Sequence, residues 1–534
     1  MKTKVILIFI LAFILRFWQL GTNPPSLDWD EAALGYNAYS ILQTGKDEYG
    51  AFLPLSFRSF GDYKPPLYTY LAIIPIKLFG LNEFSVRFIS ALFGTLTTVV
   101  VYFLVKKLFP HKSFILYLLS FLFISISPWH IQFSRVAFEA NLALFFFIFA
   151  IYLCFIALEK GKFFIPAAVS FALSMYAYHS PRLLVPLIIF CFVVIYRKNI
   201  KTQIIPAVIS FVLFIILVLP IFIDLSSATS ARLNSVTLFN PNERLGESIN
   251  EMTVDAQKGD KIGQLTHNRR IVYAKEVIGG YLDHFSFDFL FLNGDPPGRH
   301  HAAGMGMLYL WDLPFIIIGL FYLLGHRDKN VLFLFSWFLI APIASSITTG
   351  TPHAVRAIFY IPVYQIFSAI GFTVFICFLK SKNIIFSKTI IAFSAFLLIF
   401  NFYYYLNLYY IVTPVEFSQW WQYGYKQVVS KVSKLENKYD KVIVTYQYDQ
   451  PYIFFLFYQK IDPWAYQKES NQAPIERSDR SFGKYEFHHI NWPKDSQYPK
   501  TLIIGAPGEI PENIPSIDEI QFLDGTKAFK IVGT

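Results

Sequence analysis

The chain has 534 residues, of which 54% are hydrophobic and only 15% charged, with 58 Phe, 33 Tyr and 9 Trp and a mean hydropathy of +0.44. No single aqueous core buries that much apolar surface, which excludes a soluble globule and leaves a polytopic membrane protein. The net charge of +10 needs no nucleic-acid partner because Lys and Arg collect on short loops between apolar runs, and Cys154, Cys191 and Cys377 are too scattered for a disulfide scaffold or a cysteine metal site.

Met1-Lys-Thr-Lys leads into an apolar run to Leu20 with no small-residue cleavage site after it, so the first segment reads as a retained signal anchor. Next comes Ser26-Leu-Asp-Trp-Asp-Glu-Ala-Ala-Leu-Gly-Tyr36, which sets Asp28, Asp30 and Glu31 at the edge of the bilayer. Carboxylates lose solvation there and persist mainly where they line a wet cavity, bind a cation or do chemistry. The segment 65–80 is apolar but opens with Pro65-Pro66 and carries Pro75 and Lys77. As a full span it would put Lys106, Lys107 and Lys112 outside; as a helix on the outer surface it puts them inside, as the positive-inside rule requires.

Further spans are expected at 84–106, 113–128, 140–158, 163–178, 182–196, 203–223, 308–325, 331–347, 356–379 and 389–411. With about eleven spans, Lys160, Lys162, Arg197, Lys198, Lys201, Arg327, Lys329, Lys380, Lys382 and Lys388 all become cytoplasmic, with the amino terminus inside. The expected architecture is therefore an α-helical membrane domain over 1–411, with outer loops at 21–83 and 224–307, and an extracytoplasmic α/β domain over 412–534. In that domain 441–446, 501–505 and 528–532 read as strands and 450–458 as a helix or strand.

This topology puts the unusual polar residues on the outer side: Asp28, Asp30, Glu31, Asp62, Lys64, Arg135, Glu139, His179, Arg182, Arg299, His300, His301, His353 and Arg356. Each has a structural alternative. Asp30 and Glu31 can cap or salt-bridge a helix, Lys64 can snorkel to headgroups, and Arg135 and Glu139 have the spacing of a helical ion pair. His179, His300 and His301 can be satisfied interfacial histidines, although Gly294-Asp-Pro-Pro-Gly-Arg-His-His301 has the turn residues of a shaped loop. His353 and Arg356 follow Thr348-Thr-Gly-Thr-Pro352 at a helix start, where they suit either phosphate binding or surface anchoring. A carboxylate that takes a proton from an acceptor hydroxyl, beside cations that hold an anionic leaving group, suits glycosyl transfer from a lipid-phosphate sugar. The competing class is a transporter or glycolipid flippase, which should bury ionisable residues near the midplane in broken helices.

Asp30-Glu31 with Tyr36, then Lys64-Pro-Pro-Leu67, Lys77-Leu-Phe-Gly80 and Asn82-Glu-Phe-Ser-Val-Arg87, resembles the GT-C glycosyltransferases, in particular the branch of protein O-mannosyltransferases and lipid A aminoarabinose transferases. The resemblance covers about residues 1–200. It implies an inverting transfer from a polyprenyl-phosphate sugar donor to an extracytoplasmic protein, lipid or polysaccharide. In that scheme Asp30 is the general base, Glu31 its neighbour in the acceptor or metal shell, Lys64 a ligand of the carrier phosphate and Glu139 the second acidic residue. Arg135, Arg182, His353 and Arg356 are further phosphate candidates, and Asp28, Tyr36, Asp62, His179, Arg299 and His300 complete the expected site. The aminoarabinose enzymes carry Glu immediately before the Lys-Pro, where this chain has Tyr63, so a divalent metal is left open and no cofactor is required.

Overall fold

Long apolar runs satisfy their backbone polar groups within a helix and leave their side chains to neighbours or lipid. A computed structural model describes residues 2–110, 112–224, 238, 243–326, 328–380, 382, 384–470 and 479–534, and it is helical through most of the first 416. The elements that build the site are α1 (Lys2–Phe17), α2 (Trp29–Thr44), the hairpin β1 (Phe57–Ser59) and β2 (Asp62–Lys64), α3 (Leu67–Phe79), α4 (Glu83–Leu108), α5 (Phe114–Ile126), α6 (Pro128–Arg135) and α7 (Glu139–Ala157).

Among the described residues seven helices are long and apolar enough to cross a membrane: α4, α7, Pro181–Lys201, Ile204–Ile223, Lys329–Ser346, Ile358–Lys380 and Ile384–Glu416. The pair α5–α6, bent by 51°, makes up to eight. The other expected spans, 1–20, 163–178 and 308–325, fall on shorter helices: α1, Phe164–Ala177 and Asp312–Leu324. Large apolar side chains such as Phe211, Ile216, Phe393 and Phe400 are exposed, an arrangement that lipid tolerates and water penalises. This is a membrane protein. At 13 residues each, α3 and Asp312–Leu324 are about 20 Å long, shorter than a hydrocarbon core of about 30 Å.

A capping box starts α4: Asn82 accepts from the Ser85 amide at 3.0 Å, and the Ser85 hydroxyl accepts from the Asn82 amide at 3.2 Å. In the long outer loop the described part forms the helices Glu243–Lys258, Lys261–Thr266 and Arg269–Asp283; 225–237, 239–242 and Arg327 lie outside the described residues.

The carboxyl-terminal unit carries a six-stranded sheet of β3 (Lys441–Val444), β4 (Arg480–Phe482), β5 (Tyr485–Phe487), β6 (Thr501–Gly505), β7 (Asp518–Gln521) and β8 (Lys527–Gly533), in the order β4-β5-β3-β6-β8-β7. Strand β3 runs parallel to β5 and β6, and the remaining pairs are antiparallel. All three expected strands are present, and the ambiguous segment is the helix Pro451–Tyr458, whose apolar residues are buried all round. This unit packs directly on α2: the Tyr36 hydroxyl donates to the Ile461 carbonyl at 3.1 Å, and Trp29 N–H donates to Gln422 at 2.8 Å.

Candidate active site

Asp28 is the N-cap of α2, its Oδ1 accepting from the Glu31 amide at 2.8 Å while Oδ2 pairs with Arg299 at 2.9 Å. The next two acids lie in the first turn, where the helix dipole favours negative charge. Successive helical residues point about 100° apart, and this separates them. Asp30 is part-exposed and faces outward to Lys64 at 2.7 Å. Glu31 is buried and accepts from Arg87 Nε and Nη2 at 2.9 and 2.8 Å and from the Ala137 amide at 2.9 Å. The remaining Arg87 N–H groups reach the carbonyls of Leu20, Pro24 and Ser26. Glu31 is therefore an internal anchor, a correction to its expected place in an acceptor or metal shell. Arg87, at the end of the Asn82–Arg87 motif, ties α4 to α2 through Glu31, and Glu31 in turn holds the Ala137 amide before Glu139.

Lys64 is delivered by the β1–β2 hairpin, whose turn residues Phe60 and Gly61 both have positive φ, 50° and 76°. That is the pattern of a type I′ turn, whose twist matches the two strands. Burial opposes the Lys64 charge, but the carboxylates of Asp30, Glu139 and Asp28 outweigh it and hold the ammonium above the ordinary lysine range. His179 Nε2 donates to the Tyr63 carbonyl at 3.1 Å and so braces the hairpin beside Lys64. Burial, aided by Arg182, depresses its imidazolium to about 3, leaving His179 neutral near pH 7.

Two later loops supply more of the site's lining. The Arg299 guanidinium stacks over Trp29 at 4.4 Å while pairing with Asp28. His300 Nδ1 meets Asp295 Oδ2 at 2.6 Å, and the same oxygen accepts from the Ala354 amide at 2.9 Å. The His300 and His353 rings are 5.2 Å apart. Arg356 donates to the Thr348 hydroxyl at 2.7 Å and the Thr349 carbonyl at 2.8 Å.

These groups enclose a cavity of about 610 Å³, within the size range of small-molecule sites. Its lining includes the acids Asp28, Asp30, Asp62 and Glu139 with Lys64, His179, Arg299, His300, His353 and Arg356. Four expected site residues do not line it, and neither does His301 from the outer polar group. Glu31 is the anchor described above, and Tyr36 bonds to the carboxyl-terminal unit. Arg135 is buried against the Tyr409 hydroxyl and the carbonyls of Leu15 and Asn23, because α6 ends at Arg135 and extended Val136 turns the chain, so no ion pair to Glu139 forms. Arg182 donates to the Met175 carbonyl, and both His301 ring nitrogens face carbonyls of their own loop. For a metal, the converging donor set among the described residues is Asp295, His300 and His353, within 4.8 Å of one another, rather than the first-loop carboxylates.

Residues 63–223 match the family described as dolichyl-phosphate-mannose-protein mannosyltransferase. An uncharacterized protein of Aquifex aeolicus (strain VF5) is 31% identical over 166 residues, a stretch that spans 31% of this chain and 32% of that relative. Among solved structures, ArnT from Cupriavidus metallidurans superposes with a TM-score of 0.55 at 11% identity over 100% of this chain and 98% of its own. The chain has the GT-C glycosyltransferase fold. The archaeal oligosaccharyltransferase AglB from Archaeoglobus fulgidus shares this GT-C fold, with a TM-score of 0.54, 14% identity and coverage of 89% of this chain and 64% of AglB. The AglB structure contains a dolichol-phosphate and an inhibitory peptide, and a second ArnT structure, covering 99% and 97% of the two chains at 11% identity and a TM-score of 0.55, is bound to undecaprenyl phosphate.

Proposed function

We propose that this chain is an integral membrane glycosyltransferase that moves a sugar from a polyprenyl-phosphate carrier to an acceptor outside the cytoplasm, with inversion at the sugar carbon. The observation that carries this reading is the pairing of Asp30 with Lys64 in a charged cavity of a GT-C fold. Asp30 is the part-exposed carboxylate, open to an incoming hydroxyl, and Lys64 is its cationic partner.

In the proposed reaction Asp30 takes the acceptor hydroxyl proton as the new bond to the sugar carbon forms, and the bond to the carrier oxygen breaks with its electron pair going to the phosphate. Lys64 stabilises that developing charge, with His353 and Arg356 lining the same cavity. The ion pair gates the base. A carboxylate held by an ammonium is a weaker proton acceptor, so drawing Lys64 toward a carrier phosphate frees Asp30 when a donor is present. Glu139, in the same cavity, supports the Lys64 charge. Neutral His179 orients the hairpin.

Membranes containing the chain, supplied in turn with radiolabelled polyprenyl-phosphate sugars, should pass label to an extracytoplasmic protein, lipid or polysaccharide with at least one donor. Labelling that equals empty membranes for every polyprenyl donor, while a nucleotide sugar is used, would overturn the reading.

A further inference from the structure

We propose that Asp295, His300 and His353 form a binding site for a divalent transition-metal ion of the zinc class. The Asp295 side chain is fully buried, and although its Oδ2 meets His300 and the Ala354 amide, its Oδ1 has no hydrogen-bond partner among the described residues. A carboxylate out of water with an unsatisfied oxygen calls for a cation. The neighbouring Arg356 spends donors on Thr348 and Thr349 instead.

One ligand atom from each of the three residues lies within 4.8 Å of the others, and ligands at about 2.0–2.2 Å from one ion gather such a set with rotamer-scale adjustment. Two imidazoles and one carboxylate select zinc-class ions; calcium and magnesium prefer all-oxygen shells. The surroundings also hold the ligands in place. His284 Nδ1 donates to the Gly280 carbonyl, which leaves Nε2 to accept from the His353 amide at 3.2 Å and so fixes the backbone of that ligand. The site joins the loop carrying Asp295 and His300 to the loop carrying His353. Because both histidines line the 610 Å³ cavity, three protein ligands leave a coordination position open toward it. The site shares His353 with the cavity proposed for the carrier phosphate, and its test reads metal binding and not transfer, so either proposal can fail alone.

The test uses full-length protein in detergent, stripped with EDTA and titrated with Co²⁺ and then Zn²⁺. Elemental analysis should give one ion per chain, Co²⁺ should show the visible d–d bands of a low-coordinate nitrogen and oxygen site, and Zn²⁺ should raise the unfolding temperature. Asp295→Asn also disturbs the Ala354 anchor, so His300→Gln and His353→Gln carry the test, with their metal-free unfolding compared with wild type. Each should weaken binding at least about 100-fold and abolish the thermal shift, since even indirect partners of metal ligands cost about 10–100-fold. Glu139→Gln should leave binding intact. Failure of wild type to bind, retention of binding by both histidine variants, or loss of binding in Glu139→Gln would each overturn the site.

Discussion

Asp30 and Glu31 adjoin in the first turn of α2, but only Asp30 reaches the cavity. Asp30→Asn should insert and fold normally while losing turnover by about 10²–10⁴, the usual cost of removing a general base; initial rates of sugar transfer by purified protein check this. Glu31→Ala should instead lose folded protein, since breaking a buried ion pair costs about 3–5 kcal/mol and strands Arg87. Thermal unfolding separates the two outcomes. Lys64→Ala should raise the KM for the lipid donor more than that for the acceptor, by the equivalent of about 1.5–3 kcal/mol. A change confined to the acceptor KM would remove Lys64 from the phosphate. Sequence alone grouped these residues, because clustered carboxylates and an outward Lys-Pro-Pro are visible in one dimension. It could not separate Asp30 from Glu31, because the distinction depends on Arg87, 56 positions later, and Asp295 looked like one more turn residue between Gly294 and Pro296.

The elements that hold these side chains meet at α2, which is gripped from both sides. A Cβ added at Gly35 would come within 2.6 Å of both Phe457 and Val86, so this glycine sets the approach of the carboxyl-terminal unit. Beyond α2, Glu48 is buried beside Asn37 and faces Arg480 from β4, Arg58 from β1 and the hydroxyls of Tyr49, Tyr452 and Tyr466. Burial pushes its carboxyl up to about 7 against the pull of Arg480. Between the ordinary carboxyl value and about 7 the folded state binds more protons than the unfolded one, so this contribution to stability is lost as pH rises through that window. Glu48→Gln should therefore flatten the fall in unfolding temperature between about pH 5 and about pH 8; identical slopes for variant and wild type would contradict it. Helices and central strands were legible from long apolar runs. The break after Arg135 was not, because Val136-Ala137-Phe138 carries no Gly or Pro, and β4, β5 and β7 are only three or four residues long.

For the whole molecule, we propose that the cavity, the 224–307 loop and the carboxyl-terminal unit lie outside, with Lys106, Lys107, Lys198 and Lys380 facing the cytoplasm. After removal of Cys154, Cys191 and Cys377, a membrane-impermeant thiol reagent applied to intact cells should reach a cysteine at Lys500 and not one at Lys198. The central claim is that this cavity consumes a lipid-phosphate sugar rather than moving a glycolipid across the bilayer. The most direct measurement reconstitutes the protein in liposomes with a radiolabelled polyprenyl-phosphate sugar and the acceptor fraction that accepts label in membranes. Wild type should release free polyprenyl phosphate in step with labelled acceptor, and Asp30→Asn should release almost none. Transfer of the intact donor between leaflets without release of polyprenyl phosphate, or equal release by Asp30→Asn, would contradict the account.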